Sequence, residues 1–243
     1  MGQSDRQATK YPTEGARYDK THALIIFTKV PINGQVKTRL TPFLSPQKSA
    51  ELQKCFLLDI LDLASDLKNC DVVVAYSPPE ELSLLKEITG ERGYRFVPQR
   101  GRDIGERMRY AFEDIFKRGY GGAVLIGTDL PSLPLRYLSC ALDLLEGNDI
   151  VLGPNADMGY YLIGMKEQNR EIFEGVDWGS HKELSQTLSR ISQKGLKLAC
   201  LDVWYDVDTP EDLKFLNTHL ECIKTSGGKI PGRTYGFLER LKL

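Results

Sequence analysis

The 243-residue chain carries 32 basic and 33 acidic side chains, a formal net charge of −1 at pH 7, which excludes a blanket attraction for nucleic acid or anionic lipid. Any phosphate binding must be local. The longest apolar runs, such as 23–27 and 72–75, fall far short of the ~20 residues that cross a bilayer.

The length suits one large α/β domain with a substantial core, expected over residues 22–243 behind a polar, mobile lead-in at 1–21. The lead-in has no apolar stretch of the signal-peptide kind. The five cysteines, Cys55, Cys70, Cys140, Cys200 and Cys222, are scattered and never paired as CxxC, which disfavours disulfides and zinc and points to a reducing cytoplasm. His22, His181 and His219 each stand alone and read as solvated or structural.

In chain order, Ala23-Leu24-Ile25-Ile26-Phe27 is a continuous apolar run of strand length, typical of a strand covered on both faces. A loop from Lys29 to Leu40 follows. Ser45-Pro46 then offers an N-cap and first helical residue, and Leu52, Phe56, Ile60 and Leu63 recur at helical spacing. The alternation continues: strand 71–76, helix 79–89, strand 94–98, helix 104–118, strand 122–127, helix 134–146, strand 149–152. Such an order implies a mostly parallel sheet with helices on both sides. Beyond 152 a Gly-rich turn leads into Tyr160-Tyr161-Leu162-Ile163-Gly164-Met165, expected as an antiparallel insertion. Helix 181–194, strand 196–201 and helix 210–220 come next, the last with Thr209 as N-cap and Asp212 as capping-box acid. The tail is expected to be irregular until Tyr235.

Open α/β sheets bind ligands at the carboxyl ends of their strands. The Lys29–Arg39 loop, Asp129, the 153–159 turn and Asp208 all sit just past predicted strands, so one crevice is expected to gather them. Lys29, Lys37 and Arg39, spaced around Pro31 and Gly34, suit polyphosphate oxygens; the plain alternative is a solvated basic loop. Gly34-Gln35-Val36-Lys37-Thr38 fails as a Walker A loop, because no Gly directly precedes the Lys.

Asp129, in Ile126-Gly127-Thr128-Asp129-Leu130-Pro131, and Asp208, in Asp206-Val207-Asp208-Thr209, are expected to hold Mg²⁺ or Mn²⁺ against substrate phosphates. Against that stand a turn-bonding role for Asp129 and a helix-cap role for Asp208. A phosphatase reading of Asp206-Val207-Asp208-Thr209 is set aside, since the motif nearly closes the domain. Asp157 and Tyr160, beside Tyr161, offer an acceptor or base pocket, or simply a hairpin turn with buried tyrosines. Asp103 and Arg107 enter a helix whose N-terminus favours an anion, or Glu106-Arg107 is a surface charge pair. Trp178 either covers a ligand or packs.

Phe27-Thr28-Lys29 through Lys37-Thr38-Arg39-Leu40, Asp103-Ile104-Gly105-Glu106-Arg107-Met108, Ile126 to Pro131, Gly153-Pro154 through Gly164, and Tyr205 to Leu213 resemble, in order, a family of bacterial GT-A-fold proteins described as nucleotide-diphospho-sugar transferase-like. The Lys37-Thr38-Arg39-Leu40 loop and the Asp206–Leu213 ending are also similar to guanylyltransferases that activate 2-phospholactate in deazaflavin-cofactor synthesis. The resemblance implies a Rossmann-like, three-layer αβα fold with a mixed, mostly parallel sheet. It also implies Asp129 and Asp208 as metal-binding acids, and Lys29, Gly34, Lys37 and Arg39 as the phosphate loop. The family turn usually reads Asp-Gly-Gly where this chain has Asp157-Met158-Gly159.

The expectation is a Mg²⁺-dependent transferase with a nucleotide-activated donor and a small-molecule acceptor, needing no nucleic acid or membrane. With an NTP donor, Asp129 and Asp208 hold the metal while Lys37 and Arg39 neutralise charge as pyrophosphate leaves. With a nucleotide-sugar donor, the same metal stabilises the departing diphosphate and Asp157 or Asp103 activates the acceptor hydroxyl. Both outcomes stay open, and a non-catalytic nucleotide-binding protein on the same fold is the alternative.

Overall fold

Strand β1 (His22–Lys29) is buried from Ala23 to Thr28 and runs parallel to β2 (Cys70–Ser77) on one side and β4 (Gly122–Ile126) on the other. The computed structural model describes residues 22–41, 43–90 and 92–242; the lead-in expected at 1–21 lies outside them. Within these residues the sheet has seven strands in the order β3-β2-β1-β4-β6-β5-β7, with β3 at Arg95–Pro98, β5 at Ile150–Pro154, β6 at Tyr160–Met165 and β7 at Leu198–Cys200. β6 pairs antiparallel with both β4 and β5, the insertion expected after residue 152. The other pairings are parallel.

The period-2 alternation of a strand sends neighbouring residues to opposite faces. Leu24, Ile26, Val74, Val124 and Ile126 meet helices α1 (Pro46–Ser65), α2 (Leu82–Thr89) and α4 (Leu135–Leu144). Ala23, Ile25, Phe27, Val73 and Leu125 meet α3 (Ile104–Phe116) and α5 (Glu183–Gln193) on the other face. Each fully buried Leu, Ile or Phe contributes roughly 1.5–3 kcal/mol, so two-sided burial of such short strands is what holds the sheet. The three-layer expectation is met. No helix among the described residues is long and apolar enough to cross a membrane.

A third cluster joins the outer side of α1 (Leu52, Phe56) to α6 (Pro210–Thr225) and α7 (Gly232–Leu241). The C-terminal helix starts earlier than the tail pattern predicts. Its Pro231 N-cap position supplies no side-chain bond; instead the Asp59 carboxylate of α1 accepts the backbone N–H of Arg233 at 3.2 Å and of Thr234 at 2.7 Å. A remote acid thus satisfies orphan donors of the first turn. Helix α6 likewise runs past residue 220 to Thr225, and α2 begins at Leu82, after a 3-10 turn at Pro79–Glu81.

Candidate active site

Past the paired ends of β1 and β4, the chain opens a cleft of about 420 Å³ lined by Thr28, Lys29, Lys37, Arg39, Gln53, Gln99, Arg107, Thr128, Asp129 and Asp208 among others. One wall is the loop after β1. Gln35 N–H closes a turn onto Ile32 C=O at 3.0 Å, with Gly34 at φ +77° in its third position. That left-handed conformation is why a glycine stands there, but Gly34 does not line the cleft.

Lys37 then adopts φ 49°, ψ 39°, a left-handed backbone uncommon for a residue with a side chain. The kink turns its side chain inward, where only 3% of it is exposed. Its Nζ donates to Asp129 Oδ1 at 2.8 Å, to Asp208 Oδ1 at 3.1 Å and to the Val207 carbonyl at 2.6 Å. The Phe56 ring lies 5.3 Å away. Burial pushes the Lys37 pKa down, but the two aspartates outweigh it and hold the ammonium above its ordinary value. An ammonium has three N–H groups, and all three are in use.

The two acidic turns are also joined through the backbone, since Val207 N–H donates to Asp129 C=O at 2.8 Å. Thr209 caps α6, with Asp212 completing a capping box that also takes the Asp208 N–H. The cap role therefore falls to Thr209 and Asp212, which leaves the Asp208 carboxylate for Lys37 and for Arg39, whose Nη1 lies 3.6 Å from Oδ2. The Asp129 and Asp208 side chains remain 38% and 34% exposed.

Whether these residues suit a hard cation turns on the donor set. Each aspartate spends Oδ1 on Lys37, Oδ2 of Asp208 has only the long contact to exposed Arg39, and both carboxylates reach the cleft. Among the described residues no group of three or more His, Cys, Asp or Glu is arranged to hold a metal. Two carboxylate oxygens fit Mg²⁺ or Mn²⁺ only if water and substrate oxygens complete the shell, which is how Mg²⁺ is usually held.

A third acid was raised from the sequence only within the phosphatase reading that was set aside. Asp206 is half-buried; its Oδ2 accepts from Asn155 Nδ2, and its Oδ1 is buried without a partner. Burial, then the nearby Asp129 and Asp208 charges, push its pKa up to about 7. Gln53 and Gln99 went unremarked. Gln53 Nε2 donates to Thr128 Oγ1 at 2.8 Å, and Gln99 Nε2 donates to Ala75 C=O at 2.8 Å and Thr28 C=O at 3.3 Å, tying down the rim of the sheet. Gln53 leaves a signal: Phe56, Leu57 and Ile60 follow it at i+3, i+4 and i+7, so a polar side chain sits on a buried face.

The cleft brings together Lys29, Lys37, Arg39, Arg107, Asp129 and Asp208. Three other expected residues are placed elsewhere. Asp103 is the N-cap of α3, its Oδ1 accepting Glu106 N–H at 2.8 Å, and it borders a separate depression beside Trp178. Asp157 lies exposed on the β5–β6 turn, outside the cleft lining, with its carbonyl 3.1 Å from His181 Nδ1. Tyr160 packs edge-on against Trp178, and its hydroxyl is buried, which raises its pKa. Tyr160 and Trp178 thus pack on each other, and Gly105 admits the indole: a Cβ there would lie 2.2 Å from its Nε1. Met158 takes φ +67° and is exposed, a left-handed backbone that favours glycine.

Comparison with known proteins agrees with this architecture. Residues 60–180 match a family model described as "Uncharacterized protein conserved in bacteria (DUF2064)". A crystal structure from Desulfovibrio desulfuricans G20, provisionally named a nucleotide-diphospho-sugar transferase, superposes with a TM-score of 0.84 at 31% identity, covering 91% of this chain and 95% of that one. The 2-phospho-L-lactate guanylyltransferase of Methanobrevibacter ruminantium is 23% identical over 207 residues, 80% of this chain and 86% of the relative. The phosphoenolpyruvate guanylyltransferase of Sphaerobacter thermophilus is 26% identical over 189 residues, 75% and 87% of the two chains.

Proposed function

The chain belongs to the bacterial family of nucleotide-diphospho-sugar transferase-like proteins described as DUF2064, and from that premise we propose that it is a metal-assisted nucleotidyltransferase, moving a nucleoside monophosphate from an NTP to a small phosphorylated acid. The relatives named guanylyltransferases support an enzyme and a guanine nucleotide donor. The observation that carries the reading is the aspartate pair, Asp129 just past β4 and Asp208 just before α6, in a cleft whose other charged residues besides Lys37 are the cations Lys29, Arg39 and Arg107.

A triphosphate brings several negative charges, and these cations supply matching partners. Asp129 and Asp208 would hold the cation, which neutralises charge on the phosphates when bound. An acceptor oxygen forms its bond to the α-phosphorus while the bond from that phosphorus to the bridging oxygen breaks, and pyrophosphate carries the electron pair away. The protein's part is positioning and charge neutralisation, which suffices for phosphoryl-type transfer. No side-chain nucleophile is required.

The test is incubation of the protein with Mg²⁺, α-³²P-GTP and either 2-phospholactate or phosphoenolpyruvate. Label is expected in a new acid-linked guanylate product, matched by pyrophosphate. Because the Desulfovibrio relative is provisionally named for nucleotide-diphospho-sugars, GDP-sugars belong in the same panel; GDP release from them, with no transfer from GTP, would replace this reading with glycosyl transfer.

A further inference from the structure

Lys37 is the cationic side chain of the cleft that the nucleotide cannot simply use. Its three N–H donors are committed to Asp129, Asp208 and the Val207 carbonyl, and its side chain is almost wholly withdrawn from solvent. Arg39, by contrast, is 72% exposed. The ammonium bonds to one oxygen of each carboxylate, the two groups that would grip a divalent cation. It therefore occupies the electrostatic place of that cation. The left-handed backbone at Lys37 is what brings it there, and unusual conformations of this kind persist where the surrounding fold holds them.

We propose that Lys37 is a built-in counter-ion that makes cation binding conditional on the nucleotide, a reading that rests on the function proposed above. Without nucleotide, a divalent ion must compete with an ammonium that already balances the aspartates and whose one further acceptor is the uncharged Val207 carbonyl. With a polyphosphate in the cleft, Lys37 gains phosphate oxygens as acceptors and releases part of its hold, and the carboxylates turn to the metal. Metal and nucleotide then bind synergistically, and such coupling is reciprocal. The device keeps the pair of acids folded and solvated at low cost while preventing occupation by free Mg²⁺.

The decisive probe is Mn²⁺ titrated into nucleotide-free protein, followed by the loss of the free-ion electron paramagnetic resonance signal. Lys37→Met should bind Mn²⁺ at least tenfold more tightly than wild type, and the gain should vanish in Lys37→Met/Asp129→Asn. Equal Mn²⁺ affinity of wild type and Lys37→Met overturns the proposal. Because Lys37→Met removes a buried charge and its folding is not assured, a crystal structure of wild type with Mn²⁺ and GTP gives a second test. There Lys37 Nζ should have left at least one aspartate for a phosphate oxygen. A metal on Asp129 and Asp208 beside an unmoved Lys37 overturns the counter-ion while leaving the function intact. GTP bound with its metal away from both aspartates overturns the functional reading, and the counter-ion with it.

Discussion

Gln53 on α1 donates a 2.8 Å hydrogen bond to the hydroxyl of Thr128, both side chains being buried, and so fixes the residue that immediately precedes Asp129. A helix on one face of the sheet thereby sets the angle at which the β4 turn presents its acid.

Replacing Gln53 by Leu strips the Thr128 hydroxyl of this partner. The hydroxyl keeps only its 3.5 Å contact to Asp129 Oδ1, and losing a buried hydrogen-bond partner costs about 1–3 kcal/mol, so urea unfolding of the variant should show a loss of that size, with a lowered kcat from a misaimed Asp129. The double variant with Thr128→Val should be less destabilised than the sum of the single changes, since the two residues share one interaction.

Arg39 makes a long contact to Asp208 and is largely exposed. Arg39→Ala should therefore leave stability within about 0.5 kcal/mol of wild type. Its effect should appear instead in binding: a roughly tenfold rise in KM for the nucleotide, which is the scale of about 1.4 kcal/mol from one lost charge-assisted contact. Steady-state kinetics beside a thermal melt would separate the two, and an unchanged KM would remove Arg39 from the phosphate wall.

Asp206 carries a pH signature. Its folded pKa, about 7, lies above the usual aspartate value because of burial and then the neighbouring acids. Between about pH 4 and 7 the folded state therefore holds a proton that the unfolded chain has released, and stability falls as pH rises through that window, levelling above it. In metal-free buffer Asp206→Asn should flatten this slope and gain on wild type by a few kcal/mol at pH 8. Parallel stability slopes in the two proteins would show that Asp206 does not titrate there.

Asp103 caps α3, so Asp103→Ala should cost about 1 kcal/mol, the usual worth of an N-cap, with turnover kept within about twofold. A collapse of kcat without loss of stability would place Asp103 in the chemistry.

The sheet was legible because the strands are short apolar runs buried on both faces; residues 23–27 and 122–127 could hardly be anything else in an α/β chain. The start of α7 was hidden for the opposite reason. Pro231, Gly232 and Gly236 dilute its helical pattern, and its first-turn donors are satisfied by Asp59, far away in the sequence. In the site, Asp129 and Asp208 could be picked out because each comes after an apolar run that reads as a strand, although β7 ends at Cys200 and Asp208 stands at the entry to α6. The basic loop points Lys37 towards phosphate, but its bond to Asp208 spans 171 positions and could not be read from the sequence, since it exists only once the two turns have closed on each other. Asp206 was not separated from Asp208 because residues two apart on an extended stretch share a face, opposite the buried Val207; only the folded partners, Asn155 for one and Lys37 for the other, tell the two acids apart.

The central claim is that this cleft transfers a nucleoside monophosphate through the paired acids at its base. The direct measurement is pyrophosphate released per GTP consumed, with Mg²⁺ and an accepted phosphorylated acid, in wild type and in Asp129→Asn of verified fold. The account predicts one pyrophosphate for each GTP in wild type and a drop of at least a hundredfold in the variant, about 2.7 kcal/mol of lost transition-state stabilisation. Wild-type turnover that yields inorganic phosphate or GDP in place of pyrophosphate, or an Asp129→Asn protein as active as wild type, would contradict it.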